Sequence, residues 1–144
     1  MNIYFACSIT GGREFESVYQ VITHALVQDH QVLTAHLAEP DVASAEAALD
    51  PLEVYRRDTR WIRESDVLIA EVSVPSHGVG YEIGYALGLE KPVLALYQQG
   101  RKVSKMISGN PDSHLSVQCY TTLEEAIELI HGFLSTQLIR EIRH

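Results

Sequence analysis

Glu82 is an acid within a glycine-rich segment, and its carboxylate could serve as a catalytic group. It stands among four glycines in "SVPSHGVGYEIGYALG" (73–88), about one turn into a predicted helix. A carboxylate near a helix N-terminus is favoured by the helix dipole, which would explain Glu82 without a catalytic role. Taken alone, the residue allows both a structural and a catalytic interpretation.

Asp58 is the second anomalous acid, because it interrupts an apolar helix face in "PLEVYRRDTRWIRES" (51–65). The apolar positions of that face are Val54, Tyr55, Trp61 and Ile62. Burying a carboxylate is costly unless it is paired or used, so we expect either that Arg57 or Arg60 pairs with it or that it borders a cavity. Two carboxylates directed into one pocket are the groups that cleave glycosidic bonds, which points to a sugar substrate bearing an anion.

A candidate phosphate-binding loop, "SITGGR" (8–13), follows the first predicted strand. Its hydroxyl groups, its two glycines and Arg13 beside a helix start suit an anion that binds several donors and a cation. An ordinary tight turn with an exposed arginine would have the same composition, so the residues alone leave both interpretations open. Neither this loop nor the segment 73–88 is a Walker A loop or a GxGxxG fingerprint.

Three further side chains are of types that could contribute to a site. His36 could contact a ligand or could be a hydrogen-bonded structural histidine. Cys7 is interpreted as a small packing residue, because a nucleophilic role would need an oriented base that the sequence does not identify. Tyr4 should share a strand face with Ala6 and Ser8, and its hydroxyl, if buried, needs a partner such as a carboxylate.

Gly80, Gly84 and Gly88 repeat at i, i+4 and i+8 and so share one face of the predicted helix. Each weakens a helix by roughly 1 kcal/mol relative to alanine. We therefore expect something to approach this face closely, either a neighbouring helix of this chain or a second subunit, and a close approach of the backbone to a ligand at Gly78 and Gly80 is also compatible.

Alternating apolar runs and amphipathic segments must position these residues. Continuous apolar runs, typical of strands covered on both faces, occupy 2–7, 31–36, 66–72, 92–97 and 115–120. Helical spacing recurs over 15–26 and 123–138, whereas 37–50 is predicted as a long loop that could cover a site. The order predicts an α/β fold with a five-stranded parallel sheet, and in a flavodoxin-like strand order a ligand would lie beyond strands 1 and 3.

Composition excludes several classes of function. The 144 residues, 46% hydrophobic and 21% charged, suit one domain over 1–144. A net charge of −8 with 11 Lys plus Arg argues against a polymeric nucleic acid or an anionic membrane as partner. The two cysteines form no CxxC and the seven histidines no HExxH, so neither a disulfide nor a zinc site is indicated. With no signal-peptide core or membrane-length apolar run, a cytoplasmic protein is expected.

Three segments in this order resemble the 2'-deoxynucleoside 5'-phosphate N-hydrolases, relatives of the nucleoside 2-deoxyribosyltransferases. They are "IYFACSITGGRE", "RRDTRWIRESDVLIAEVSVPSHGVGYEIGYALGLEKPVL" and "GRKVSKMISG", and the match covers Asn2 to about Tyr120. The resemblance implies a flavodoxin-like Rossmann three-layer sandwich and a homodimer with a shared active site. It also implies hydrolysis of a (deoxy)nucleoside 5'-monophosphate to a free base and (2-deoxy)ribose 5-phosphate.

The resemblance also implies roles for individual residues. Glu82 matches the nucleophile that forms a glycosyl ester, Asp58 the acid that assists departure of the base, and Tyr4 the tyrosine that positions the nucleophile. The implied nucleotide-binding residues are Cys7, Ser8, Ile9, Thr10, Gly11, Gly12, Arg13, His36, Ser76 and Gly78. Ser104, Lys105 and Met106 match a segment that the family donates from the other subunit.

Ser76 separates two branches of this resemblance. Transferases of unphosphorylated nucleosides carry an acid six residues before the nucleophile, where it would repel a phosphate; here that residue is Ser76. Two positions depart from the family pattern: Cys7 stands where many members have Gly, and Thr10 where many have Arg. The second change removes a cation near the nucleotide, so it bears on base preference, affinity and ribose tolerance more than on the type of reaction.

The sequence thus predicts a nucleotide N-glycosidase, a hydrolase of nucleotide metabolism that needs no cofactor. A deoxyribosyltransferase that moves the sugar to a second base is the nearest alternative, and a non-catalytic nucleotide sensor on the same fold is another. Retention of Tyr4, Asp58 and Glu82 together argues against the sensor. A flavin-binding flavodoxin would need a loop richer in Ser and Thr than "CSITGGR".

Overall fold

A five-stranded parallel sheet forms the centre of the fold, with the strand order β2-β1-β3-β4-β5. The structure is a computed structural model and describes residues 1–9 and 14–144. The strands are β1 (Asn2–Ala6), β2 (Gln31–Val32), β3 (Val67–Glu71), β4 (Val93–Gln98) and β5 (Leu115–Tyr120). The predicted parallel sheet and its flavodoxin-like order are confirmed, since every neighbouring pair of strands is parallel.

Six α-helices and one 3₁₀ turn are described around the sheet. The helices are α1 (Glu16–Val27), α2 (Val42–Ala47), α3 (Pro51–Glu64), α4 (His77–Gly88), α5 (Lys105–Ser108) and α6 (Leu123–Ile142), and the 3₁₀ turn is Ala35–Ala38. The two helices predicted from apolar spacing, α1 and α6, are present. Within 1–9 and 14–144, no helix is long and apolar enough to cross a membrane.

Two buried clusters, one on each face of the sheet, make the three layers. Tyr19 and Ile22 of α1 pack with Ile130 of α6 against one face, together with Phe5 of β1. On the other face, α3 and α4 cover Leu68, Ala70 and Ala95. Strands buried on both faces can be continuously apolar, and each fully buried aliphatic side chain contributes roughly 1.5–3 kcal/mol to folding.

The prediction of a second strand over 31–36 is wrong beyond Val32. The ladder continues as far as the bond from Leu33 N to Ile3 O, at 2.9 Å. The buried Thr34 side chain then replaces the next backbone pair, because its Oγ1 accepts from Phe5 N at 2.9 Å and donates to Phe5 O at 2.7 Å. The chain is thus free to turn away into the 3₁₀ turn, which is where His36 lies.

The prediction of a long loop over 37–50 is also wrong. The 3₁₀ turn ends at Ala38, and α2 occupies Val42–Ala47. Val42 anchors α2 with only 2% of its surface exposed, while most of the helix faces outward. So short a helix, with one buried apolar residue, leaves no helical period for a sequence pattern to reveal.

Candidate active site

Helix α4 positions Glu82 at the carboxyl end of β3. Ser76 is the N-cap residue, and its Oγ accepts a hydrogen bond from Val79 N at 3.3 Å. Glu82 then lies in the second turn, on the same side as Ser76, with Gly78 between them. A Cβ built on Gly78 would lie 3.7 Å from Glu82 Oε1 and 3.9 Å from Ser76 Oγ, so the carboxylate and the hydroxyl flank one bare patch of backbone.

A buried carboxylate that sequence reasoning missed holds the turn in front of α4. Glu71, fully buried at the end of β3, accepts from Ser73 N at 2.6 Å and from the Tyr120 hydroxyl at 2.5 Å. Ser73 Oγ also donates to Glu71, at 3.1 Å, and accepts from Gln98 N at 2.8 Å. Burial raises the pKa of Glu71, while the hydrogen bonds from Tyr120 and Ser73 oppose that rise. Glu71 therefore fixes the path of the chain towards Ser76.

A cavity of about 560 Å³ joins Glu82 to Asp58. Cys7 and Ile9 line it from beyond β1, Ser76 and Gly78 from the start of α4, and Asp58 from α3. This is the edge of the sheet at which the sequence placed a ligand site, and the volume falls within the usual range for small-molecule sites. Cavities of similar volume lie beside β5 and α6 and beside Ser104, so the chemistry of the lining, not its size, distinguishes this one.

The pKa values of both carboxylates of the cavity are raised, and the negative charge of Asp58 contributes to the rise at Glu82. Burial, followed by the negative charge of Asp58, raises the pKa of Glu82 to about 8, against the opposing effects of Tyr4 and Arg57. Burial also raises the pKa of Asp58, and there the hydrogen bond from Arg57 opposes it. The raised pKa of Glu82 lies close to neutral pH, so one of the two neighbouring acids can keep a proton there, as acid–base catalysis requires.

Tyr4 lies beneath Glu82 and is completely buried. Its hydroxyl makes no hydrogen bond of normal geometry with any residue that the structure describes, yet it is close enough to Glu82 for the two groups to affect each other's pKa. Burial, and then the negative charges of Glu82 and Asp58, raise the pKa of Tyr4. The phenol therefore stays neutral and can donate a hydrogen bond to a carboxylate.

Asp58 is both paired and exposed to the cavity, so both expectations from the sequence apply. Arg57 Nε donates to Asp58 Oδ1 at 2.8 Å, and Arg57 also binds Glu46 of α2 through two bonds of 2.9 and 3.0 Å. Arg60 instead lies 3.8 Å from Glu64. The predicted apolar face of α3 is only partly a core face, because Ile62 is buried but Tyr55 is 51% exposed and lines the cavity.

Other predicted site residues fall in different places. The hydroxyl of Ser8 is buried and has no hydrogen-bond partner among the described residues. His36 lies outside the cavity lining: its Nε2 is 3.6 Å from Glu46 Oε1, and its ring packs edge-on against Trp61. Four predicted residues, Thr10, Gly11, Gly12 and Arg13, lie outside the described part of the chain.

The segment of Ser104, Lys105 and Met106 lies at the start of α5, away from the carboxylates. Ser104 caps the helix by accepting from Met106 N at 3.2 Å, and Met106 is 83% exposed. Both residues line the cavity of about 550 Å³ on the outer side of Ser76. Ser76 thus belongs to both cavities.

The glycine face of α4 meets nothing in the described chain. A Cβ added at Gly80, Gly84 or Gly88 would find no atom within 4 Å. Of the two neighbours expected from the sequence, a helix of this chain is therefore excluded for residues 1–9 and 14–144. The second subunit remains a prediction.

The lining of this cavity consists of carboxylates, hydroxyl groups and apolar side chains, the last including Leu49 and Val54. Among the described residues, no three His, Cys, Asp or Glu side chains come together in a way that could hold a metal ion. The arrangement supplies two acids of perturbed pKa, a neutral phenol and a helix N-terminus.

Comparison with known proteins places the chain in a family. Residues 3–128 match the model of the nucleoside 2-deoxyribosyltransferase family. The chain is 39% identical over 142 residues to the 5-hydroxymethyl-dUMP N-hydrolase of Mus musculus, covering 95% of this chain and 82% of the mouse protein. It is 41% identical over 134 residues, 92% of this chain and 83% of the relative, to a Methanosarcina mazei protein provisionally named 2'-deoxynucleoside 5'-phosphate N-hydrolase 1.

Among solved structures, the CMP N-glycosidase BcmB of Clostridium botulinum has the same fold. It superposes with a TM-score of 0.67 at 19% identity, over 91% of this chain and 99% of the glycosidase. The expected resemblance is confirmed, and the chain belongs to the nucleoside 2-deoxyribosyltransferase family.

Proposed function

We propose that the protein hydrolyses the N-glycosidic bond of (deoxy)nucleoside 5'-monophosphates, releasing the free base and (2-deoxy)ribose 5-phosphate. The observation that carries the proposal is the placement of Glu82 and Asp58 in one cavity beside the α4 N-terminus. Relatives named as nucleotide N-hydrolases support the substrate class. The retained acids support chemistry rather than sensing.

The proposed reaction divides the work between the two acids. Glu82, ionised, attacks C1' and forms a glycosyl ester, while Asp58 gives its proton to the departing base. Water then attacks C1' and loses its proton to Asp58. The ester bond between C1' and Glu82 breaks, which releases the sugar phosphate and regenerates the Glu82 carboxylate. The first step needs the proton on Asp58 rather than on Glu82, and a hydrogen bond from the Tyr4 hydroxyl would favour that distribution by stabilising the Glu82 anion.

The phosphate is proposed to bind at the start of α4. Ser76 Oγ and the backbone N–H groups of His77 and Gly78, which have no carbonyl partner within the helix, are donors, and the twelve-residue helix supplies a favourable dipole. The buried Ser8 hydroxyl, without a partner among the described residues, is a further donor close to the end of β1. None of these groups is anionic, which favours a monophosphate over an unphosphorylated nucleoside.

The active site is proposed to be shared in a homodimer. The glycine face of α4 is uncovered, Tyr81 beside it is 56% exposed, and the cavity between α4 and Met106 is open to a partner. A second copy on this surface would cover exposed aromatic and glycine residues and bring Ser104 to Met106 near the other subunit's Ser76. This arrangement would make each site incomplete in the monomer.

The test is a product assay. Purified protein is incubated with each deoxynucleoside monophosphate, the matching ribonucleotides and the unphosphorylated deoxynucleosides, and the released base is quantified with and without a second free base. We expect release from monophosphates with water alone. Release that needs an acceptor base would instead identify a deoxyribosyltransferase, and tight nucleotide binding without any release would identify a sensor.

A further inference from the structure

Helix α2, which the sequence did not predict, is joined to the catalytic acid by a chain of ion pairs. Arg57 binds both oxygens of Glu46 at 2.9 and 3.0 Å and donates from Nε to Asp58 at 2.8 Å. All three side chains are largely buried, with 13%, 18% and 16% of their surfaces exposed for Glu46, Arg57 and Asp58. Pairs shielded in this way are screened less by salt than surface pairs, and removing one partner leaves a poorly solvated charge without compensation.

The position of Arg57 depends on Glu46. A bidentate bond fixes the plane of the guanidinium as well as its distance, which a single bond to Asp58 cannot do. The indole ring of Trp61 lies under the guanidinium, 4.9 Å from its carbon to the ring centroid. Trp61 and Glu46 thus hold the guanidinium of Arg57 from two sides. Without Glu46, the guanidinium could rotate about its hydrogen bond to Asp58.

We propose that Glu46 is a positioning residue that sets the orientation of Arg57 and, through Arg57, the readiness of Asp58 to donate its proton to the departing base. The inference rests on the proposed hydrolysis, in which Asp58 is the acid. It gives α2 a role in the chemistry, in addition to the wall of the cavity that Ala43 and Ala47 provide.

Several titratable and charged groups face Asp58 from the elements around it, and their effects have different signs. They are Arg57 on α3, Glu46 on α2, His36 in the 3₁₀ turn, Glu82 on α4 and Tyr4 on β1, with Cys7 in the cavity wall. Arg57 favours the ionised carboxylate of Asp58, whereas the negative charge of Glu46 favours the protonated acid. Glu46 therefore offsets part of the effect of Arg57, and replacing it with a neutral residue should lower the pKa of Asp58.

The test compares Glu46→Gln with the wild type and with Glu53→Gln, which removes an exposed acid from the first turn of the same helix as Asp58. With a nucleotide substrate we expect Glu46→Gln to lower kcat about tenfold at neutral pH, a size typical of coupling within one ion-pair network, with KM nearly unchanged. The alkaline limb of the kcat profile should move to lower pH, because Asp58 loses its proton earlier. Glu53→Gln should behave as the wild type.

A substrate whose leaving group needs no proton isolates the acid step. With 4-nitrophenyl 2-deoxyriboside 5-phosphate, the kcat/KM of Glu46→Gln, which reports only the formation of the glycosyl ester, should be nearly that of the wild type. In an Asp58→Asn background, Glu46→Gln should cause no further loss with a nucleotide. A rise in KM that depends on the base, with kcat unchanged, would overturn the inference, because Glu46 also lines the cavity and would then be a base contact.

A measurement without turnover separates this inference from the proposed function. The ionisation of Asp58 is followed by ¹³C NMR of the side-chain carboxyl in the wild type and in Glu46→Gln. A lower pKa of Asp58 in the variant supports the inference even if the wild type releases no base from any nucleotide. An unchanged pKa, with kcat the same as in Glu53→Gln, overturns it while leaving the hydrolase proposal intact.

Discussion

At the residue scale, the proposed chemistry depends on which of Glu82 and Asp58 carries a proton. Burial and the negative charge of Asp58 raise the pKa of Glu82 to about 8, which favours a proton on Glu82 near neutral pH. The proposed reaction needs that proton on Asp58. The buried Tyr4 hydroxyl has no hydrogen-bond partner of normal geometry in the described chain, and a small closure towards Glu82 would satisfy both groups.

The first prediction concerns Glu82 as nucleophile. Glu82→Gln keeps the size of the side chain but cannot form the glycosyl ester, so we expect kcat to fall by at least about 10³-fold, as for other nucleophile deletions. Nucleotide binding, measured by calorimetry, should remain. Glu141→Gln, an exposed acid on α6, is the matched control. Substantial hydrolysis by a clean Glu82→Gln preparation would remove Glu82 from the mechanism.

The second prediction is a stability effect of the same substitution. In the unfolded chain Glu82 ionises near its ordinary pKa of 4.5, whereas the folded protein keeps the proton until about pH 8. Between these values the folded state binds more protons, so the stability of the wild type falls as pH rises. We expect Glu82→Gln to have a higher Tm, by a margin that grows from about pH 5 to pH 8 and then levels off. A margin independent of pH would contradict the raised pKa.

At the element scale, α4 combines two proposed tasks, because its cap residue and its second turn both line the cavity. Ser76 is cap and proposed phosphate donor, and Glu82 follows it at a spacing that a helix fixes. The same helix carries the uncovered glycine face on its outer side. Changes at its N-terminus can therefore be designed to keep the helix intact.

The third prediction uses that property at Ser76. Ser76→Asp retains a good capping residue but adds a negative charge where the phosphate is proposed to bind, and Ser76→Asn caps equally well without the charge. We expect the Asp variant to raise KM for monophosphates at least about tenfold, since like charges in contact are costly, with little effect on nucleosides. If the Asp and Asn variants changed KM equally, or if KM rose equally for monophosphates and nucleosides, the phosphate would not bind at this position.

The fourth prediction concerns the short strand β2. Thr34→Val removes the hydroxyl that serves both Phe5 N and Phe5 O and leaves two buried backbone groups without partners. We expect the free energy of unfolding to fall by about 1–3 kcal/mol, measured by urea titration. Thr136→Val, which removes an exposed bond to Gly132 O in α6, should cost much less. Equal losses would show that the buried bonds to Phe5 matter no more than an exposed one.

The elements that could be predicted from the sequence are those whose burial leaves a pattern. Continuous apolar runs marked β1, β3, β4 and β5 within a residue or two at each end, because strands covered on both faces exclude polar residues. The end of β2 could not be predicted, since a threonine hydroxyl imitates the backbone there.

The side-chain networks around Asp58 and Glu71 also could not be predicted from the sequence. Asp58 was recognisable as an acid on an apolar face, but its link to Glu46 through Arg57 was not. Glu46 and Arg57 are eleven positions apart in sequence and lie on different helices. Glu71 was missed inside the run "DVLIAEV", where its partners come from β5 and from the following turn. Pairings set by tertiary structure leave no period in the sequence.

At the scale of the whole molecule, the surface of α4 suggests that a single chain is not the working unit. Three glycines at i, i+4 and i+8 weaken a helix without any compensating contact in the described chain. Tyr81, 56% exposed, and Met106, 83% exposed, lie along the cavity next to this face. A second copy of the chain packed against the face would account for all of these features.

The fifth prediction tests that assembly with matched substitutions. Gly84→Leu and Gly132→Leu both place a large side chain at a helical glycine where an added Cβ meets nothing within 4 Å, so neither should harm the folded monomer, and each should gain helix propensity of up to about 1 kcal/mol. If α4 is the interface, only Gly84→Leu blocks the approach of the partner. We expect it to sediment as a monomer and to lose most of its activity, because the segment of Ser104 to Met106 no longer reaches the other site. Gly132→Leu, on α6, should remain dimeric and active.

Two outcomes would contradict this prediction. A Gly84→Leu variant with the sedimentation mass and the kcat of the wild type would show that the interface does not include the glycine face of α4. A fully active monomer would show that one chain alone completes the site.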